Sequence, residues 1–466
     1  MLSNFPYQKI FCIGIGGIGV SGLAELLHCH GYAVSGSDLS DNDQTKHLTL
    51  LGIPVFQSHD ASHIGNADLV VYSSAVAKNN PELMQAREKN ITVISRGELL
   101  AMIMQAANNI VVAGTHGKTT TTSLIAYLFE KANKDPSFMI GGVLSDRASS
   151  VRFGKPEFFI AESDESDASF LFLSPTVAVI TNIDADHLEA YDHSFDNLKK
   201  SFVRFTQKIP SDGFVIACMD NKVVRELLPQ ITCQVVTYGQ DEHADYQLQD
   251  FQQFGLQSQF TIKTPEKESI HIQLNLPGLH NGLNAVAAFI AAQIYQLPEE
   301  HIKSAFLTFP GIGRRFSPHG KIALQNGSAL LFDDYGHHPR EIQVTLRSAK
   351  AAWPDRRVVM VFQPHRYTRT RDLMQEFVDV LKTADQLVLT DVYAASEQKI
   401  EGADGKALFE AVKAAGADQA CFVPKLTDLP NQLQRILKPD DIVILQGAGN
   451  IVTIVDTLLN RDPLQC

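Results

Sequence analysis

A chain of 466 residues, 44% hydrophobic and 20% charged, without long biased tracts, holds enough apolar surface for two to four folded domains and is not intrinsically disordered. Its 40 Lys and Arg against 52 Asp and Glu leave a formal charge of −12, which argues against a protein that wraps nucleic acid by neutralising phosphates. No run approaches the ~18 uninterrupted apolar residues of a membrane span, and the start MLSNFPYQKIFCIGIGG enters a glycine-rich strand instead of a cleavable signal, so a cytoplasmic chain with no membrane partner is expected.

In chain order, the first stretch alternates strands and helices: KIFCIGIG, a helix from Ile18 to His30, YAVSGSD, a short helix, IPVFQ, ADLVVYSS, a helix from Pro81, and TVISR. This predicts an open parallel sheet with helices. A new strand, NNIVVAG, begins near residue 107 and feeds the helix TTTSLIAYLFEKA; PEFFIAE and TVAVITNI follow, then hairpin-like material from Gln234 to Gln273. PGLHNGLNAVAAFIAAQIYQ reads as a loop entering a helix, and GIGRRFSPHG breaks the periodicity near residue 313. The last third alternates again through ALLFDDYG, RRVVMVFQ, DQLVLTDV, ACFVP and DIVILQGAG. Three consecutive α/β domains are expected, at 1–107, 108–312 and 313–466: Rossmann-like, P-loop ATPase-like, and Rossmann-like again. The six cysteines, Cys12, Cys29, Cys218, Cys233, Cys421 and Cys466, form no C-x-x-C pair and read as reduced thiols.

Two glycine motifs carry chemistry. Gly14-Ile15-Gly16-Gly17-Ile18-Gly19 satisfies G-x-G-x-x-G between a strand and a helix, with Asp38 ending the next strand, so helix-start amides can hold a diphosphate. The pattern does not separate NAD from a UDP-sugar, and a turn serving only close packing remains open. Gly114-Thr115-His116-Gly117-Lys118-Thr119 is a phosphate cradle: Lys118 supplies a point charge for the β and γ phosphates and the Thr119 hydroxyl can sit on Mg2+. Val112 takes the place of the first glycine of the full pattern.

Hard ligands for that metal are available at strand ends, Glu162 after FFIAE and His187 in TNIDADH. Arg314 and Arg315 are cations for the spreading charge of phosphoryl transfer or else line a solvated hinge. Asn281 and Asn284 either recognise a base or cap a helix. Asp333-Asp334-Tyr335-Gly336-His337-His338-Pro339 and Gln363-Pro364-His365-Arg366-Tyr367-Thr368-Arg369 follow two C-terminal strands, at the sheet edge where α/β proteins bind ligands, and Arg366 and Arg369 can fork onto a carboxylate. Seven Lys and Arg between Arg347 and Arg371 face only Asp355, a locally positive region or a solvated helix face.

Together these residues resemble the Mur ligases of peptidoglycan synthesis, across essentially the whole chain. GTHGKTTTT and the His-Asn-x-x-Asn segment are similar to the whole group, whereas GIGGIGVSG, DDYGHHP and QPHRYTRT resemble its alanine-adding branch. The resemblance implies a UDP-sugar domain, a central ATPase domain, and a C-terminal domain that brings the amino acid and closes over ATP. It implies that L-alanine is joined to the lactyl carboxylate of UDP-N-acetylmuramate as ATP becomes ADP and phosphate, by a monomer or weak homodimer. Two Mg2+ ions are implied, with Mn2+ able to substitute.

Carried onto this sequence, the resemblance makes Lys118 the phosphate lysine and Thr119 and Glu162 ligands of the first metal, with His187 on a second. Gly114, Thr115, His116, Gly117 and Thr120 complete the cradle, Asn281 and Asn284 address adenine, Arg315 or Arg314 lies near the γ-phosphate, and Tyr335 is beside the nucleotide. His337, Arg366 and Arg369 bind the muramate and alanine carboxyl region. Gly14, Gly16, Gly17, Gly19, Asp38, His59, Ser73 and Ser74 bind UDP. Ser163 stands where the family commonly has Ala, and DRASSVRFGK lacks the usual Asn and Gly, which concerns substrate-loop shape. An NAD-dependent oxidoreductase would leave the phosphate loop unexplained, as would a nucleotide switch the second anion sites. A sibling ligase recycling a murein tripeptide shares the loop but differs in the first-domain and arginine motifs.

Overall fold

The computed structural model describes residues 5–73, 75–104, 108–146, 149–163, 165–186, 188–395 and 397–460. Three α/β domains follow one another, each built on its own mostly parallel sheet. The chain divides into two compact units: residues 1–251, 259–274 and 281–309, and residues 252–258, 275–280 and 310–466.

The first sheet orders β1 (Lys9–Ile13), β2 (Ala33–Ser37), β3 (Val55–Phe56), β4 (Leu69–Tyr72) and β5 (Thr92–Ser95) as 3-2-1-4-5. Successive β1 side chains enter opposite layers, Ile10 and Cys12 on one face and Phe11 and Ile13 on the other, as the two-residue strand period requires. A strand buried on both faces explains why KIFCI reads as a continuous apolar run. The expected helix runs Ile18–Cys29, stopping one residue before His30.

The central sheet holds β6 (Asn108–Ala113), β7 (Ser137–Met139), β8 (Val151–Arg152), β9 (Phe158–Glu162), β10 (Val177–Ile180), β11 (Phe214–Cys218), β12 (Gln234–Gly239), β13 (Tyr246–Phe254), β14 (Gln257–Lys263) and β15 (Ser269–Leu274), ordered 15-14-13-12-11-10-6-9-7-8. The region from Gln234 is not all hairpin. β12 pairs parallel with both β11 and β13, and only from Tyr246 does the chain run through short turns. One apolar core joins the first and central domains, with Val20, Leu23 and Leu27 sharing it with Met139, Val151 and Phe170.

The third sheet orders β16 (Ser317–Leu324), β17 (Gly327–Asp334), β18 (Val358–Phe362), β19 (Gln386–Leu389), β20 (Cys421–Phe422) and β21 (Ile442–Gln446) as 16-17-21-18-19-20. β16 is an antiparallel edge strand inside the segment that sequence periodicity reads as a break; Pro318 is tolerated there because an edge strand has a free side and the register shifts between Pro318 and Gly320. Met360 and Phe362 face one core layer, Val359 and Val361 the other. Each such fully buried side chain contributes roughly 1.5–3 kcal/mol.

Candidate nucleotide and anion sites

The phosphate cradle leaves β6, the strand between β10 and β9, where chain order switches sides of the sheet and α/β folds open a crevice. Gly117 sits at φ 82° and ends the loop as N-cap of the helix Lys118–Lys131, offering no capping side chain of its own. A Cβ on Gly117 would fall 2.7 Å from Asn284 Oδ1, so only glycine fits. Uncapped amides at a helix start are donors for an anion. The loop is held from below: His116 N–H donates to Asn182 Oδ1 at 2.8 Å, Thr181 Oγ1 and Asn182 Nδ2 donate to His116 O at 2.7 and 2.9 Å, and Asp184 N–H donates to Thr115 Oγ1 at 2.9 Å.

Lys118 Nζ donates to Gly114 O at 2.7 Å, to Thr115 O at 3.2 Å and to Glu165 Oε1 at 2.9 Å. Thr119 Oγ1 donates to Glu162 Oε1 at 3.1 Å, while Glu162 Oε2 accepts Gly141 N–H at 2.8 Å. Thr119 and Glu162 thus come together as expected, and the sequence reading missed Glu165, a buried carboxylate three residues on that forms the ion pair with Lys118. Thr120 lies buried in the helix. Ser163 donates to Val112 O at 3.3 Å and stays inside the strand end. His187 and Ser74 lie outside the described residues, among which no group of three or more His, Cys, Asp or Glu is arranged to hold a metal. The Thr119 and Glu162 oxygens still suit a hard ion that takes one or two protein carboxylates and completes its shell with phosphate and water.

Asn281 and Asn284 do not cap their helix. They fall inside Leu279–Ile294, Asn284 Nδ2 donates to Asn281 Oδ1 at 3.3 Å, and Asn284 lies buried against Gly117.

In the first domain, Gly14 and Ile15 N–H donate to Ser37 O at 2.8 and 3.0 Å, and Gly16 N–H donates to Asp38 Oδ2 at 2.8 Å, tying the glycine loop to the end of β2. Gly17 is the N-cap of the following helix; Ser73, just past β4, lies 3.0 Å from where Gly14 would carry a Cβ, and Gly19 faces Arg96. Arg96 Nη2 donates to Ser169 Oγ at 3.1 Å and lies 3.5 Å from Asp167, linking first and central domains. His59 sits on Glu82, a fully buried acid that the sequence did not single out.

In the second unit, the ends of β17, β18 and β21 meet. Arg314 and Arg315 stack over Tyr335 with guanidinium carbons 4.8 and 5.4 Å from its ring centroid. Arg314 Nη2 donates to Gly447 O at 2.7 Å and Gly449 O at 3.1 Å, so it is anchored within the domain and is no solvated hinge cation. The His337 and His365 rings lie 5.7 Å apart, and Arg369 Nη1 is 3.3 Å from His365 Nδ1. Burial, His337 and the two nearby arginines push the His365 imidazole down to about 4, leaving it neutral at pH 7. Arg366 has φ 70° and stands 3.9 Å from Glu397. Asp334 accepts from Phe316 N–H, Gly336 N–H and Gln446 Nε2 at 3.0, 2.7 and 3.1 Å; burial raises its carboxyl to about 6 although Arg315 pulls the other way.

Fold and loops define a three-domain α/β protein with a nucleoside-phosphate cradle in its middle domain. Residues 9–108, 112–292 and 314–449 match the models of the Mur ligase family catalytic domain, the Mur ligase middle domain and the Mur ligase glutamate ligase domain. The chain is 49% identical over 453 residues, 97% of each sequence, to a UDP-N-acetylmuramate–L-alanine ligase of Coxiella burnetii. Among solved structures it is similar to a UDP-N-acetylmuramate-alanine ligase from Thermotoga maritima, with TM-score 0.80, 28% identity and coverage of 97% of this chain and 98% of that one. A murein peptide ligase from Psychrobacter arcticus shares the fold, with TM-score 0.71 and 24% identity over 97% of this chain and 98% of that one. The chain belongs to the Mur ligase family.

Proposed function

We propose that this chain joins L-alanine to the lactyl carboxylate of UDP-N-acetylmuramate, converting ATP to ADP and phosphate. The observation that carries this reading is the Lys118 and Thr119 cradle in a chain 49% identical, end to end, to a relative named for that ligation. The oxidoreductase reading leaves the cradle without a task, and the tripeptide-recycling reading rests on fold likeness alone.

A carboxylate is a poor electrophile, so the substrate oxygen first attacks the γ-phosphorus in line, the bond to the β,γ-bridging oxygen breaks with ADP leaving, and an acyl phosphate forms. Lys118 turns from Glu165 to the phosphates and neutralises the charge that spreads there. Thr119 and Glu162 would hold Mg2+ or Mn2+, which supplies Lewis-acid stabilisation of the phosphoryl oxygens. The amides after Gly117 bind the phosphates, and Asn284, packed against Gly117, keeps the loop in shape. In the second unit Arg366 and Arg369 bind carboxylate, His337 lies 5.7 Å from the His365 ring that Arg369 contacts, and Tyr335 with Arg314 and Arg315 forms a cationic face suited to phosphate. The amine of alanine then attacks the acyl carbon, phosphate leaves, and the amide forms without an enzyme nucleophile. Asp38, His59, Ser73 and the glycine loop hold UDP. No helix among the described residues is long and apolar enough to cross a membrane.

Phosphate release measured with UDP-N-acetylmuramate, with and without L-alanine, tests the proposal. Release that depends on both co-substrates is expected; release indifferent to either would refute it.

A further inference from the structure

The end of β2 rests on one buried acid. Glu82, with no exposed side-chain surface, accepts the Ser37 hydroxyl at 2.6 Å and meets His59 Nδ1 at 2.9 Å on Oε2; Oε1 meets His63 Nδ1 at 3.1 Å and accepts Asp60 N–H at 3.4 Å. Asn80 positions it, its side chain accepting Glu82 N–H at 2.9 Å and making the acid the second residue of the helix Pro81–Glu88. Four groups on one carboxylate leave little freedom, since each buried polar atom that lost its partner would carry a desolvation cost. Ser37 is also the residue whose carbonyl accepts the Gly14 and Ile15 amides of the glycine loop. Glu82 therefore ties the histidines to the loop in one network.

Oε2 accepts the Ser37 hydroxyl, whose oxygen also stands 3.0 Å from His59 Nδ1, and Oε1 accepts the Asp60 amide; facing these acceptors, both imidazoles donate from Nδ1. His63 is further fixed by stacking on Phe56, ring centroids 4.2 Å apart. His59 Nε2, on a side chain 20% exposed, has no hydrogen-bond partner among the described residues. In the neutral ring that atom is a lone-pair acceptor.

We propose that Glu82 is a positioning residue that locks His59 in the Nδ1–H tautomer, so that Nε2 accepts the imide N3–H of a uracil ring. The inference rests on the UDP-binding reading of the first domain. In sheets of this order a diphosphate lies at the turn after β1 and the ribose near the acid ending β2, so the base extends toward β3, after which His59 follows. Uracil presents a donor at N3, whereas cytosine presents a lone pair there and meets the Nε2 lone pair with repulsion. A site built on one fixed acceptor rejects a ligand lacking the matching donor. Glu82, which need not touch the ligand, thus sets the choice between uridine and cytidine.

The test uses the full chain labelled with 15N-histidine, the His59 signals assigned by comparison with H59Q. In the wild type, His59 is expected as the Nδ1–H tautomer, with its Nε2 resonance moving on addition of UDP and not of CDP. In Glu82→Gln, the tautomers are expected to mix, UDP affinity to fall roughly tenfold to hundredfold, and UDP preference over CDP to shrink by a similar factor. For nucleotide-sugar turnover, KM should rise while kcat stays within about threefold. The Nε2–H tautomer in wild type overturns the proposal whatever the variant does, so a variant that fails to fold does not protect it. Unchanged UDP affinity and preference in a folded Glu82→Gln overturns it too. Absence of UDP binding to wild type would instead remove the underlying reading of the domain.

Discussion

Asp334 offers a test of the second unit that does not depend on activity. Burial raises its carboxyl from the ordinary value of 3.8 to about 6, so the folded state binds its proton more tightly than the unfolded chain. By linkage, stability falls as pH rises wherever the native state holds more protons, here between about 4 and 6. The rise from 3.8 to about 6 corresponds to roughly 3 kcal/mol, present below the unfolded value and lost as the group ionises in the fold; about 2 kcal/mol of it falls between pH 4 and 7.5. The imidazoles of His365 and His280 are both pushed down to about 4, mainly by burial, and their linkage runs the opposite way, adding stability as pH rises toward 6.5. The wild-type profile therefore mixes opposing slopes, and the difference between wild type and Asp334→Asn isolates the carboxyl. Trp353, the single tryptophan, packs on Phe332 and Phe316 with ring centroids 5.2 and 6.4 Å away, and Phe316 N–H donates to Asp334. Its fluorescence reports unfolding of this unit in urea. The stability of wild type minus that of the variant should decline by about 2 kcal/mol from pH 4 to 7.5. A difference constant to within about 0.5 kcal/mol would falsify the assignment of a raised carboxyl.

Lys118→Ala should cut co-substrate-dependent phosphate release by roughly a hundredfold or more while leaving UDP affinity unchanged, because the cradle and the glycine loop belong to different sheets; calorimetry showing both lost together would count against separate sites. Gly117→Ala forces a left-handed residue to carry a Cβ 2.7 Å from Asn284 Oδ1, at a cost of about 1–2 kcal/mol, and ATP should bind correspondingly weaker in equilibrium titration, whereas wild-type affinity would mean the loop tolerates a side chain. Chelation by EDTA should stop ADP formation, and either Mg2+ or Mn2+ should restore it; turnover persisting in a metal-free preparation would remove Thr119 and Glu162 as ligands.

Strands buried on both faces announce themselves as short apolar runs, and KIFCI, FFIAE and VVMVF all became strands in the expected order. The edges were less legible. β7 and β8 have three and two residues, too short for any period to emerge. β16 is masked by Pro318 and Gly320, residues that punctuate a pattern even where an edge strand accommodates them. β12 looked like the start of a hairpin because local sequence carries no sign of whether a strand pairs parallel or antiparallel with its sequence neighbours.

Distance along the chain separates the site residues found from those missed. Gly117, Lys118 and Thr119 were legible because a phosphate loop does its chemistry with consecutive residues, whose spacing is itself the signal. Glu82, Glu165 and Asp334 act across 45, 47 and 18 residues, on Ser37, Lys118 and the Phe316 amide respectively. Glu162 and Glu165 are the same residue type three positions apart; what separates them is partner, Thr119 for one and Lys118 for the other. A carboxylate becomes functional in these domains when burial removes its water and leaves it one set of donors to satisfy. The missed residues are therefore acids whose role follows from the packing around them, and each is readable only once the sheet that buries it has been assembled.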